Sequence, residues 1–153
     1  MNTVTYSDER VPDYLNGNFI PVRHHCDFDN PTDEMRRYGV KWTPTLLVLG
    51  ADGAEHHRWV GFLPPGEFVA QLSLARAKLD FDRDRLIPAI NEFSETLAGC
   101  PQCLAAPEAR YFLGVSKFKQ THDAQELKRI WEDLSSRFPQ SEWTRKAEPY
   151  SEG

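Results

Sequence analysis

The stretch from residue 43 to residue 61 constrains the fold of this chain more than any other. Thr43-Pro44-Thr45 leads into a continuous apolar run, Leu46-Leu47-Val48-Leu49, which is typical of a strand buried on both faces. Asp52-Gly53 is a tight-turn signal, and a second strand follows over Glu55–Val60. The sequence therefore predicts a β-hairpin that begins at a proline.

Further elements precede this hairpin. Residues 8–18 have the spacing of the end of a helix, and the alternation from Phe19 to Asp27 predicts a strand. Asn30 is the predicted N-cap of a short helix that has Pro31 at its first position. The order of these elements predicts an α/β domain.

From residue 68 onward the apolar residues recur at helical spacing. The first helix closes the α/β part near residue 80, so the predicted domains are residues 1–80 and a helical segment over residues 81–153. Asp84 is the predicted cap of the next helix, and Asp123 with Glu126 forms a predicted capping box. The stripes that predict these helices are Phe68, Leu72, Ala75 and Leu79; Leu86, Ile90, Phe93 and Leu97; Tyr111, Val115 and Phe118; and Leu127, Ile130, Trp131, Leu134 and Phe138.

The composition excludes several functional classes. A net charge of −5 without a Lys/Arg cluster disfavours nucleic acid as a partner. No run approaches the roughly 20 apolar residues of a membrane span, and residues 1–18 are too polar for a signal peptide. Three cysteines, an odd number, suit a reducing compartment rather than a disulfide framework. We therefore predict a cytoplasmic protein that contacts no membrane.

Two motifs flank the predicted strand and short helix. Asp8 to Val11 reads Asp-x-x-Val, and Tyr38 to Thr45 reads Tyr-Gly-Val-x-x-x-Pro-Thr. With these motifs in this order, residues 4–79 resemble the thioredoxin-like family. The resemblance implies an incomplete thioredoxin-like sheet with flanking helices.

The resemblance also points to a candidate binding site. In the family, the proline that corresponds to Pro44 follows a cis bond, and the backbone before it can pair with a bound peptide. The resemblance therefore marks Thr43 and Pro44 as candidate partner-binding residues. Trp42 beside them is either a docking surface or buried packing.

The chain departs from the family pattern before residue 8. The family's first strand lies centrally in the sheet, and the next helix carries two reactive cysteines; neither element is present upstream of Asp8. If Met1 is the natural start, we expect the strand from Phe19 to pair directly with the strand from Leu46, or a partner to fill the gap. A misassigned start codon would explain the same pattern.

The helical segment carries landmarks of its own. Leu113-Gly114 and the run from Phe138 to Ser141 make residues 107–147 similar to a tetratricopeptide-type helical hairpin. One such hairpin does not form a solenoid. We expect it to pack on the rest of the chain or on a second copy.

Cys100-Pro101-Gln102-Cys103 is the one Cys-x-x-Cys motif of the sequence, and three interpretations of it stay open. As a redox pair, Cys100 would be the nucleophile and Cys103 the resolving thiol, by analogy. The preceding helix C-terminus, whose dipole opposes a thiolate, argues against this role. The alternatives are half of a metal site or a plain loop between helices.

A second candidate cluster contains His24, Cys26 and one of His56 and His57, which would share a sheet face if their strands were neighbours. Solvated polar side chains at strand ends are the alternative. No metal site and no other cofactor is predicted.

The leading functional hypothesis is a peptide- or protein-binding module around Trp42, Thr43 and Pro44, without the family's usual redox centre. The first alternative is a thiol-disulfide oxidoreductase that uses Cys100 and Cys103 or a pair upstream of the given sequence. The second alternative is a homodimeric structural protein whose helices cover the open sheet.

Overall fold

The computed structural model describes residues 4–152, and the sheet within them is a single antiparallel hairpin. Its strands are β1 (Thr45–Leu49) and β2 (Glu55–Val60), with Thr45 opposite Val60 and a bulge between Val48 and Leu49. The turn holds Gly53 at φ +76°, a conformation that glycine adopts without strain. The predicted hairpin is confirmed. The prediction that β1 is buried on both faces is wrong at its end, because Leu49 lies beyond the bulge and is exposed.

Two short helices precede the hairpin, α1 (Arg10–Asn18) and α2 (Asp33–Arg37). The predicted cap at Asn30 is wrong: the Thr32 hydroxyl accepts the Met35 amide N–H at 3.2 Å and starts α2. Asn30 lies in the preceding turn, where its amide donates to the Asp27 carboxylate at 3.2 Å.

The strand predicted from Phe19 to Asp27 is a second error, because these residues form no strand. A strand needs a neighbour to pair its backbone groups, and no strand besides β1 and β2 occurs within residues 4–152. Ile20 and Val22 of this segment are therefore 93% and 73% exposed, whereas Phe19 at its start is half-buried beside Tyr14. We call residues 19–27 the unpaired segment.

Helix α3 (Pro65–Asp82) follows the hairpin, and the chain divides into two compact units at Val69 and Ala70 within it. In the first unit, the rings of Tyr6 and Trp59 meet Phe68 edge-on at 5.5 and 5.7 Å between centroids. The buried Thr5 hydroxyl donates to the Leu63 carbonyl at 2.6 Å. The domain boundary near residue 80 stays a prediction.

The second unit contains α4 (Leu86–Gly99), α5 (Ala106–Thr121), α6 (Gln125–Arg137), α7 (Glu142–Ala147) and a 3-10 turn (Glu148–Tyr150). Helix α5 packs against both α4 and α6. The central apolar cluster of this second unit includes Leu74, Ala77, Ala89, Phe93, Cys103, Ala105, Ala106 and Ala109. The predicted helical segment is confirmed, and no helix within residues 4–152 combines the length and apolarity that crossing a membrane requires.

Two predicted caps in this unit need correction. Asp84 does not cap α4, because it adopts a left-handed conformation (φ 59°) and its carboxylate accepts from the Lys119 ammonium at 2.7 Å. Helix α4 instead starts after Arg85 without a side-chain cap. At α6, the Asp123 carboxylate accepts from the Gln125 amide at 2.9 Å, but the residue at the cap position is Ala124.

The contact between α5 and α6 depends on a glycine. A Cβ atom added at Gly114 would overlap the Cγ1 atom of Ile130, so a larger residue cannot enter without displacing that side chain. Gly114 therefore lets the two helices approach closely.

Candidate functional site

The first candidate site is the open end of the hairpin, where the chain enters β1. The Pro44 carbonyl accepts the Gly61 amide N–H at 2.8 Å, which continues the ladder one step beyond the Thr45–Val60 pair. The Thr45 hydroxyl donates to the Trp42 carbonyl at 2.6 Å and fixes the bend before the strand. The Thr43–Pro44 peptide bond is cis.

Apolar side chains face solvent at this end of the hairpin. Trp42 is 68% exposed, so the interpretation of Trp42 as buried packing does not hold. Val60, opposite Thr45, and Phe62, which follows Gly61, are exposed as well. We call Trp42, Val60 and Phe62 the hairpin-end patch.

The hairpin also presents an open edge. Strand β1 pairs with β2 on one side, and within residues 4–152 no strand lies along its other side. The backbone N–H and C=O groups of β1 that point away from β2 therefore have no strand partner within residues 4–152.

A groove borders the unpaired segment in the same unit. Tyr6, Leu15, Pro21, Val22 and Arg23 line it, and burial raises the pKa of the Tyr6 phenol while the positive charge of Arg23 partly offsets this effect. The groove thus combines apolar walls with one guanidinium.

The candidate histidine–cysteine cluster, for which solvated polar side chains were the alternative, does not form among the described residues. Neither histidine pair joins Cys26 in a group of three candidate ligands within residues 4–152. Backbone amides of Asn30 and Asp29 lower the pKa of the Asp27 carboxyl, with a smaller contribution from the positive charge of His25. The unpaired segment fails to bring these residues together because it is not a neighbour of β2 in a sheet.

The second candidate site is the turn that joins α4 to α5. Cys100 is the C-cap of α4 and is half-buried, whereas Cys103 is 4% exposed and belongs to the central cluster of the helical unit. Their Sγ atoms lie within 4.8 Å of one another and are not joined by a disulfide. The Cys103 thiol donates to the Cys100 carbonyl at 2.9 Å.

Sequence motifs indicated some residues of both candidate sites, and these remain predictions, but other exposed residues of the hairpin unit were not indicated. The hairpin-end patch includes Val60 and Phe62, and the groove includes Tyr6 and Leu15, none of which the motifs indicate. Phe62, directly after Gly61, carried a usable signal: an apolar side chain beyond the last paired residue has no strand to cover it.

Comparison with known proteins distinguishes the two candidate sites, because a family model covers the first and not the second. Residues 4–76 match the family model of a thioredoxin-like domain. Thr43 and Pro44 lie inside the matched stretch, and Cys100 and Cys103 lie outside it. Neither a curated protein nor a solved structure matches the chain.

Proposed function

Because residues 4–76 belong to the thioredoxin-like domain family, we propose that this protein binds a protein or peptide partner at the open edge of β1, beside Trp42, Thr43 and Pro44. The observation that carries the proposal is the open edge itself, flanked by the exposed side chains of the hairpin-end patch. A segment that adds alongside β1 would supply partners for backbone groups and would remove apolar surface from water.

The chemistry of the edge favours an extended segment with apolar side chains at alternate positions. Strand addition gains affinity from main-chain hydrogen bonds and specificity from every second side chain. Trp42 supports the proposal because a large exposed aromatic at the centre of a contact is a frequent hot-spot residue. Arg23, in the groove of the same unit, favours an acidic residue in the partner, with its main effect on the rate of association.

The redox centre usual in the family is not part of this function. The stretch 4–76 contains one cysteine, Cys26, so two-cysteine exchange within it is not available. We place the protein in the cytoplasm, in line with three cysteines that form no disulfide.

A second copy of the chain is the alternative partner, since the same open edge of β1 could pair with its counterpart in another molecule. The observation that favours it is that both strands of the sheet are edge strands within residues 4–152. Sedimentation over a wide concentration range separates the two functions. A protein that stays monomeric at all concentrations supports binding of a different protein or peptide. Dimerisation that Trp42→Ala abolishes supports self-association.

The proposed function is tested with a random library of extended peptides, followed by affinity measurement on individual binders. We expect Trp42→Ala to weaken binding at least tenfold, which corresponds to about 1.4 kcal/mol. Phe62→Ala should weaken binding less, because phenylalanine offers a smaller side chain and is a less frequent hot-spot residue than tryptophan.

Ile87→Ala is the matched control, because Ile87 is also an exposed apolar residue but belongs to the helical unit. It should leave the affinity within about twofold. Peptides that bind the Trp42→Ala variant as tightly as the original protein would contradict the proposal, as would an equal loss in the Ile87→Ala control.

A further inference from the structure

The turn between α4 and α5 brings two thiols of the helical unit together. We propose that Cys100 and Cys103 close reversibly to an intramolecular disulfide by exchange with a small disulfide of the oxidised-glutathione type. The pair lies outside residues 4–76 and in the helical unit, so this inference does not rest on the proposed function.

The backbone of the turn already has the span that a disulfide requires. The Cys103 amide donates to the Cys100 carbonyl at 3.4 Å, the i to i+3 pattern of a β-turn, and Pro101 fixes the backbone at the second position. Such turns hold their end Cα atoms within about 7 Å, and disulfides span Cα distances of about 4.4 to 6.8 Å.

The side chains need a short movement and no unfolding. The two Sγ atoms lie within 4.8 Å of one another, and a disulfide brings them to about 2.05 Å. Closure requires the Cys103 thiol to leave its hydrogen bond to the Cys100 carbonyl and to rotate toward Cys100.

The difference in burial sets the order of the exchange. Cys100 is half-buried and accessible to a small disulfide, whereas Cys103 is buried in the central cluster. The Cys100 thiolate attacks one sulfur of the disulfide, releases the first glutathione thiolate and forms a mixed disulfide. The Cys103 thiolate then attacks Cys100 Sγ and releases the second glutathione.

The electron balance of the reaction is complete. One glutathione disulfide is reduced to two glutathione thiols, and the two cysteine thiols are oxidised to one disulfide. The protons of the two cysteine thiols pass through solvent to the two glutathione thiolates. Reduced glutathione reverses the reaction by the same steps.

The inference is tested on the full chain, equilibrated with reduced and oxidised glutathione at a series of ratios, alkylated and digested with trypsin. The peptide 86–110 contains both cysteines and no internal Lys or Arg, and Cys26 falls on a different peptide. We expect peptide 86–110 to lose two hydrogen atoms and to become resistant to alkylation as the oxidised fraction rises. A peptide that stays doubly alkylated, or that takes up glutathione without closing, would overturn the inference.

Three variants sharpen the test. In Cys103→Ser, the reaction of Cys100 should stop at the mixed disulfide with glutathione. Half-conversion should need a ratio of oxidised to reduced glutathione about tenfold higher, because the neighbouring thiol no longer acts at high effective concentration. In Cys100→Ser, the buried Cys103 should stay reduced. Cys26→Ser should leave the behaviour of peptide 86–110 unchanged. The measurement on the original chain decides the inference even if a variant fails to fold.

Discussion

The two compact units differ in how they satisfy their backbones and cover their apolar side chains. In residues 4–69 most of the regular structure is one hairpin and two short helices, whereas residues 70–152 are largely helical. The large apolar side chains that stay exposed within residues 4–152 lie in the first unit, with the exceptions of Ile87 and Leu104.

The physical reason is that a helix pairs its backbone groups within its own segment, whereas a strand needs a neighbour. The helical unit completes itself when its apolar stripes pack. The hairpin unit retains an open edge and uncovered side chains, which is why we place the partner there.

The largest test of this comparison is Phe93→Ala in the helical unit. Phe93 is fully buried and stacks on Phe112 at 6.1 Å between ring centroids, so its removal leaves a cavity among rigid helices. We expect the free energy of unfolding to fall by about 3 to 5 kcal/mol, measured by denaturant titration of the helical circular dichroism.

The counterpart in the hairpin unit is Trp42→Ala. Trp42 is of similar chemical class but is exposed, so the same measurement should change by less than about 0.5 kcal/mol. A loss at Trp42 as large as that at Phe93 would contradict the view that the hairpin-end patch is free to bind.

The next test concerns the close approach of α5 and α6. Gly114→Ala should cost about 2 kcal/mol, because overpacking against Ile130 outweighs the gain in helix propensity. The double variant Gly114→Ala, Ile130→Ala should lose less than the two single losses together, since the overlap is then relieved. Gly99→Ala is the matched control, because a Cβ there meets no heavy atom within 4 Å.

The same difference explains how far the fold could be predicted from the sequence. Helices α3 to α6 followed from local periodicity, because the residues that decide a helix are neighbours in the sequence. The unpaired segment could not be predicted in this way: its alternation is that of a strand, but a strand exists only where another pairs with it. Asn30 is a lesser error, because the polar side chain of Thr32 competes for the same helix start. At Asp84 the carboxylate accepts from Lys119, which lies 35 positions away and gives no local signal.

The candidate sites followed the same rule. Thr43, Pro44 and the Cys100–Cys103 turn are local motifs and were found from sequence. The groove is assembled from residues that are not neighbours in the sequence, so Tyr6 was missed. Phe62 was missed although its place directly after Gly61 carried a local signal.

Thr5→Val should lower the free energy of unfolding less than Gly114→Ala does. It tests how much the stability of the hairpin unit depends on a single buried hydrogen bond. Thr5 is fully buried and donates to the buried Leu63 carbonyl at 2.6 Å, across 58 positions of sequence. Valine keeps the shape of the side chain and leaves that carbonyl without its donor, which should cost about 1 kcal/mol. Thr43→Val is the matched control, because the same substitution is made there at an exposed position of the same unit. Equal losses in both variants would show that the Thr5 bond contributes little.

The smallest expected loss is a pH-dependent decrease in the free energy of unfolding, which compares a phenol of the helical unit with a phenol of the hairpin unit. Burial, followed by the hydrogen bond with Tyr150, raises the pKa of Tyr111 in the helical unit to about 12. An unfolded tyrosine titrates near 10, so below about pH 10 both states hold the proton and the stability contribution is complete. As the pH rises from 10 to 12 the unfolded state ionises first, and the free energy of unfolding falls.

Tyr111→Phe should remove this share of the alkaline loss, and because the ring is partly solvated we expect a change below about 1 kcal/mol. Tyr6→Phe in the hairpin unit should remove a smaller share, since the charge of Arg23 opposes the effect of burial there. Spectrophotometric titration of the phenols in each variant provides the readout. The difference between the titrations of the original protein and of Tyr111→Phe is the titration of the Tyr111 phenol. If that phenol ionises near pH 10, the helical unit does not exclude water from Tyr111 any better than the hairpin unit excludes it from Tyr6.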